Sequence, residues 1–260
     1  MTDLCRLEQL MRTLRDPQRG CPWDREQDFR SIVPHTLEEA YEVADAIERD
    51  DFAALPGELG DLLFQVVFYC QLAAEQERFA LADIVATLEH KLVERHPHVF
   101  ADAAGNDAAR VARDWEARKA AARRRAAAGE ASELDDVPRA LPALTRAAKI
   151  QKRAARVGFD WPDAVGARAK LGEELDELDA AHAGGSADAI EDELGDVLFA
   201  AVNVARHLGV EPERALRRAT SKFEQRFRAL ETRLAQDGRR IEATAPDVLD
   251  ALWEAVKRDG

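Results

Sequence analysis

Residues 173–199 read EELDELDAAHAGGSADAIEDELGDVLF, two acidic clusters separated by a glycine-serine break. Glu174 and Glu177 are three apart, so a helix presents both on one face, and Glu193 and Asp196 stand in the same relation further on. Ala183-Gly184-Gly185-Ser186 between them has the chemistry of a turn. An antiparallel helical hairpin turning there sets residues equidistant from the turn side by side. Glu174 and Asp196 share the midpoint 185, as do Glu177 and Glu193. Four carboxylates can therefore face one another at two levels.

The same arrangement occurs earlier in the chain. Glu38-Glu39-Ala40-Tyr41-Glu42 answers 173–177, and Glu58-Leu59-Gly60-Asp61-Leu62-Leu63-Phe64 answers 193–199; Glu174 follows Glu39 by 135 residues, and Glu193 follows Glu58 by 135. Glu39 with Asp61, and Glu42 with Glu58, share the midpoint 50, where Arg49-Asp50-Asp51 can hold a turn. Two weaker echoes keep the order: Lys91 and Arg95 against Lys222 and Arg226, and Trp115-Glu116-x-x-Lys119 against Trp253-Glu254-x-x-Lys257. Self-similarity of this kind marks a duplicated module.

Helical periodicity runs through Leu4–Leu14, Thr36–Ile47, Pro56–Glu75, Leu81–Arg95, Ala108–Arg125, Leu144–Val157, Asp163–His182, Ala187–His207, Pro212–Leu234 and Pro246–Lys257. No segment shows convincing strand alternation. Arg118 to Asp136 is rich in Ala, Arg and Glu and is followed by Pro138 and Pro142, which reads as a connection. The expected organisation is an N-terminal helical domain over 1–125, a linker over 126–142 and a C-terminal helical domain over 143–260. The fold class is thus all-α, a tandem of duplicated helical bundles.

With 260 residues, 46% of them hydrophobic, each half can fill a core, and 6% aromatic content speaks against an all-β sandwich. A net charge of −13 repels a nucleic-acid backbone, so no nucleic-acid partner is expected. It does not exclude phosphate ligands, which carboxylates bind through a divalent cation. Leu62 to Cys70 is the most apolar run and falls far short of the roughly 20 residues that span a bilayer, so no membrane role follows. Cys5, Cys21 and Cys70 form no C-x-x-C pair, and the first residues lack an apolar signal, from which a reduced, cytoplasmic protein is expected.

Four converging carboxylates repel one another unless a cation lies between them. Oxygen-only ligands without histidine argue for Mg²⁺, with Mn²⁺ the alternative, rather than zinc or a di-iron bundle site. A lone acidic pair on a helix is usually a solvated face. Here the second motif sits among Leu59, Leu62, Leu63, Phe64 and Leu194, Val197, Leu198, Phe199, which a solvated helix does not need.

These residues resemble the MazG family of nucleoside triphosphate pyrophosphohydrolases, all-α pyrophosphatases whose signature is E-E-x-x-E followed by E-x-x-D. The likeness extends over nearly the whole chain, through Gly20-Cys21-Pro22-Trp23-Asp24, the first acidic pair, Arg95-His96-Pro97-His98-Val99-Phe100-Ala101-Asp102, Asp136-Val137-Pro138, Val157-Gly158-Phe159-Asp160-Trp161, the second acidic pair, Lys222-Phe223-Glu224-Gln225-Arg226 and Trp253. It implies Mg²⁺-dependent conversion of ATP and other ribo- and deoxyribonucleoside triphosphates to monophosphate and pyrophosphate, a nucleotide house-cleaning role, and a homodimer of intertwined bundles.

On that reading Glu174, Glu177, Glu193 and Asp196 hold metal, and Glu173 holds or deprotonates the attacking water. Lys222 and Arg226, one turn apart, contact phosphate oxygens, with Lys170 a further candidate. Trp253 either stacks on a base or closes the core, and Lys257 one turn on reaches phosphate. Glu39, Glu42, Glu58 and Asp61 form a second possible metal site. Thr36-x-x-Glu39 reads as a capping box that would divert Glu39, and Lys91 and Arg95 fall in a last helical turn whose dipole disfavours anions. The C-terminal copy is therefore the expected catalytic unit and the N-terminal copy a structural or regulatory partner. His96 and His98 read as a helix-end cap, and Trp23 and Trp161 as seating a helix or lining a base pocket. A non-catalytic helical scaffold that binds metal or nucleotide is the alternative; a prenyl-diphosphate enzyme is disfavoured because D-D-x-x-D is absent.

Overall fold

A computed structural model describes residues 3–100, 107 and 132–259. The helix expected at Ala108–Arg125, with Trp115, Glu116 and Lys119, and the start of the linker lie outside the described residues. The chain divides into two compact units, Met1–Ala126 and Ala127–Gly260. Among the described residues every regular element is a helix.

The first unit runs α1 (Asp3–Leu14), α2 (Pro22–Glu26), α3 (Val33–Glu48), α4 (Leu55–Glu75), α5 (Leu81–Arg95) and α6 (Pro97–Phe100). Proline at the first or second position starts α2, α3 and α4, where its missing N–H and fixed φ cost nothing. Asp50, at φ 55°, makes the reversal between α3 and α4. Met11, Ile32, Val67, Phe68 and Leu72 form the core, with Phe29 stacked on Tyr69 beside it.

Thr36 is not a cap. The helix begins three residues earlier, at Val33, and the Thr36 hydroxyl donates back to the Ile32 carbonyl at 3.1 Å and meets the Tyr69 hydroxyl at 2.9 Å. The capping-box expectation fails because Pro34 starts the helix upstream, and the Glu39 carboxylate is left to face α4.

Arg15, whose side chain is 8% exposed, holds this unit together. Its guanidinium donates to the Asp24 carbonyl, to the Gln27 carbonyl at 3.2 Å and to both Glu75 oxygens at 2.8 and 2.7 Å. Those bonds hold the Glu75 carboxyl below its ordinary range. A pKa lower in the folded than in the unfolded chain means that the pair stabilises above about pH 4.3 and that this contribution is lost as pH falls through the folded value. Arg15→Met orphans two carbonyls and is expected to cost about 2 kcal/mol in urea unfolding at pH 7. The gap to the parent narrows below about pH 4.

The second unit runs α7 (Ala143–Arg156), α8 (Ala164–Gly184), α9 (Ala187–His207), α10 (Pro212–Gln236), a 3₁₀ turn (Ile241–Ala243) and α11 (Pro246–Asp259). The turn between α8 and α9 falls where the spacing places it. Gly185 takes φ 73°, a left-handed conformation that ends α8, and the Ser186 hydroxyl caps α9 by accepting from Ala189 N–H at 3.4 Å. The two 21-residue helices are then antiparallel neighbours. Asp163 caps α8 by accepting from Val165 and Gly166 N–H at 2.8 and 3.3 Å.

Trp161 lies on the first turn of α8, where a Cβ at Gly166 would stand 2.8 Å from its ring; glycine is what lets the indole seat that helix. Asp160 anchors the same loop to the end of α9 through Arg206 and His207, the latter at 3.1 Å. Leu230, Leu234 and Val256 form a second core between α10 and α11, with Trp253 packed against it.

Candidate metal centre

In the C-terminal hairpin one oxygen from each of Glu174, Glu177 and Glu193 lies within 4.8 Å of the others. Oxygens bound to a single divalent ion, each about 2.1–2.5 Å from it, occupy that range of separations. Glu174 is buried, Glu193 half-buried and Glu177 exposed. Asp196 is exposed and outside the triad, although it shares a helix face with Glu193. Glu173 is 58% exposed and points to Lys170.

The electrostatics are those of crowded carboxylates with one ammonium. Lys170 Nζ donates to Glu173 Oε1 and Glu174 Oε1, both at 2.8 Å. These bonds raise the Lys170 pKa and, with a contribution from Glu177, lower that of Glu174. Glu177 is pushed up, chiefly by the hydrogen bond it shares with Glu174, then by burial and by repulsion from Glu174 and Glu193. A second positive charge among these oxygens would relieve that repulsion, and an all-carboxylate donor set suits a hard divalent ion.

The N-terminal hairpin brings together a different set, Glu39, Glu58 and Asp61, with the equivalent of Asp196 in place of that of Glu177. Glu42 lies outside it and acts on Glu39 as a hydrogen-bonding neighbour; burial first, then Glu42 and Asp61, raise the Glu39 pKa. The amide of Gln65, itself 5% exposed, approaches Glu39 Oε1 at 3.5 Å, and its Oε1 has no partner. Gln65 follows Asp61 by one helical turn on α4, a spacing that carried the signal although its carboxamide attracts no notice beside the acids. The corresponding residue of the second hairpin is Ala200.

The cationic and aromatic candidates occupy another helical pair. Lys222 and Arg226 are on α10, and Trp253 and Lys257 on α11. Trp253 packs against Leu230, Leu234 and Val256, its ring 5.3 Å from that of Phe223. Its indole thus closes the core while remaining partly exposed, and Lys257 pairs with Glu254 at 2.5 Å. In the first unit Arg95 falls in the last turn of α5, whereas Lys91, expected there too, lies one turn before it. His96 ends that helix, its Nδ1 2.7 Å from the Leu92 carbonyl, as a cap does. Trp23 meets the His35 ring edge-on at 5.6 Å.

The apolar residues flanking the acidic motifs are uncovered within one chain. Leu175, Leu194, Leu198 and Phe199 are 44–51% exposed, and Leu59, Leu63 and Phe64 are exposed in the first hairpin.

Comparison with known proteins finds the MazG nucleotide pyrophosphohydrolase domain matched twice, over residues 27–100 and 166–230. The chain is 50% identical over 260 residues to a nucleoside triphosphate pyrophosphohydrolase of Escherichia coli, covering 99% of this chain and 98% of that protein. It is 41% identical over 251 residues to a nucleoside triphosphate pyrophosphohydrolase/pyrophosphatase MazG of Thermotoga maritima, covering 96% and 94%. A nucleoside triphosphate pyrophosphohydrolase of Mycobacterium tuberculosis is 39% identical over 140 residues, covering 53% of this chain and 41% of that protein.

Proposed function

The chain belongs to the MazG nucleotide pyrophosphohydrolase family, and from that premise we propose that its C-terminal unit hydrolyses nucleoside triphosphates to monophosphate and pyrophosphate. ATP and other ribo- and deoxyribonucleoside triphosphates are the substrates, and clearing surplus or non-standard nucleotides is the purpose. The observation that carries the reading is the carboxylate triad of Glu174, Glu177 and Glu193. Asp196 supplies the fourth carboxylate from the same face of α9.

Mg²⁺ is the proposed cofactor, with Mn²⁺ able to substitute; when bound it neutralises the triphosphate and acidifies an attacking water. Glu173, beside the triad and largely exposed, accepts the proton of that water. The α–β anhydride bond breaks as the water oxygen joins phosphorus. Lys222 and Arg226 contact phosphate oxygens, while Lys170 and Lys257 add further positive charge. The exposed part of Trp253 offers a stacking surface to a base.

The N-terminal copy is the structural or regulatory partner. Arg95, at the negative end of α5, is poorly placed to gather phosphate. A second copy of this chain is the proposed cover for the apolar faces of the hairpins, since exposed leucines on both helices of a hairpin are the mark of an interface. No helix among the described residues is long and apolar enough to cross a membrane. A cytoplasmic location belongs to the same reading, supported by the lack of any C-x-x-C pair among Cys5, Cys21 and Cys70.

The test is a panel of nucleoside triphosphates with and without Mg²⁺, with products separated by ion exchange. Monophosphate and pyrophosphate, formed only with metal, are expected. Diphosphate and phosphate would overturn the reaction, and absence of turnover with every nucleotide would leave a binding scaffold.

A further inference from the structure

The two hairpins carry the same acids but not the same counter-ion. Lys170 Nζ is 2.8 Å from the oxygens of both Glu173 and Glu174, and the Glu174 side chain is only 8% exposed. The ammonium therefore holds the most buried ligand of the triad. In the first hairpin the position 135 residues earlier is His35, whose Nδ1 is 3.7 Å from Glu38. Glu39 there has the neutral Gln65 amide at 3.5 Å instead.

An ammonium and a divalent ion both require the lone pairs of Glu174, so each weakens the hold of the other. Lys170 is 37% exposed on a flexible four-carbon stem and can leave the triad without disturbing the core. What it needs on leaving is another anion, and a triphosphate supplies one. We propose that Lys170 occupies the C-terminal carboxylates while no nucleotide is present and is drawn off them by the triphosphate. Metal and nucleotide consequently bind the C-terminal site cooperatively, whereas the N-terminal site takes metal without such coupling. This rests on the reading of Glu174, Glu177 and Glu193 as metal ligands.

By linkage, whatever nucleotide does to metal affinity, metal does to nucleotide affinity. The experiment uses the full chain carrying Glu58→Gln, which weakens the N-terminal triad. Mn²⁺ binding is followed by the loss of the free-ion electron paramagnetic resonance signal. Binding of α,β-methylene-ATP, whose α–β link resists hydrolysis, is followed by calorimetry with and without Mn²⁺. Lys170→Met is expected to bind Mn²⁺ about tenfold more tightly than its parent without nucleotide, and to lose most of the gain in analogue affinity that Mn²⁺ confers. Lys170→Arg is expected to restore both. Equal Mn²⁺ affinity in Lys170→Met and its parent, with circular dichroism unchanged, would overturn the proposal. Adding Glu174→Gln separates the two levels: if Mn²⁺ affinity is unmoved by that change, the metal-site reading itself fails.

Discussion

Glu174→Gln is expected to lower kcat for nucleoside triphosphate hydrolysis by about a thousandfold or more, while Glu39→Gln keeps kcat within about threefold of the parent. Glu174 is the buried member of the C-terminal triad, and its two neighbours cannot hold a divalent ion as firmly without it. The amide preserves shape, and Lys170 keeps Glu173 as a partner, so loss of activity with an unchanged circular dichroism spectrum reports on the site rather than the fold. Steady-state kinetics of both variants at saturating Mg²⁺ makes the comparison. Equal losses in the two variants would mean that both hairpins work. Loss in Glu39→Gln alone would transfer catalysis to the N-terminal unit.

The second large effect concerns assembly. Leu194→Gln combined with Leu198→Gln is expected to convert the proposed dimer into monomers in sedimentation velocity at micromolar concentration. The two leucines are one turn apart on α9 and 46% and 51% exposed in a single chain. Covering the exposed half of each contributes roughly 1 kcal/mol, and a two-fold interface uses each residue twice, so the dissociation constant rises on the order of a thousandfold. Unchanged sedimentation would show that another face, or no face, joins the copies.

Much of this architecture is legible from spacing. The midpoint of 185 anticipated the Gly185 turn, and the pairing of Glu177 with Glu193 across it follows from antiparallel geometry alone. Periodicity likewise marks Leu81–Arg95 and Ala187–His207 at their observed bounds. It does not reveal α2 or α6, whose five and four residues are too short to show a period.

At the site, periodicity places a residue on a face but not at a depth. Asp196 has the correct phase and remains exposed outside the triad. Thr36 has the pattern of a cap, yet Pro34 starts α3 upstream and frees Glu39. Gln65 on α4 meets Glu39 on α3 only once the two helices are packed, whereas the contact of Lys170 with Glu174 is one helical turn within α8 and needs no packing. The role of Gly166 is likewise invisible until Trp161 is seen lying across it.

The location of the metal tests the central claim most directly. Crystals grown with Mn²⁺ and α,β-methylene-ATP, measured for anomalous scattering at the manganese edge, are expected to show a peak among Glu174, Glu177 and Glu193. A peak confined to Glu39, Glu58 and Asp61, with the nucleotide phosphates beside it, would contradict the assignment of catalysis to the C-terminal unit.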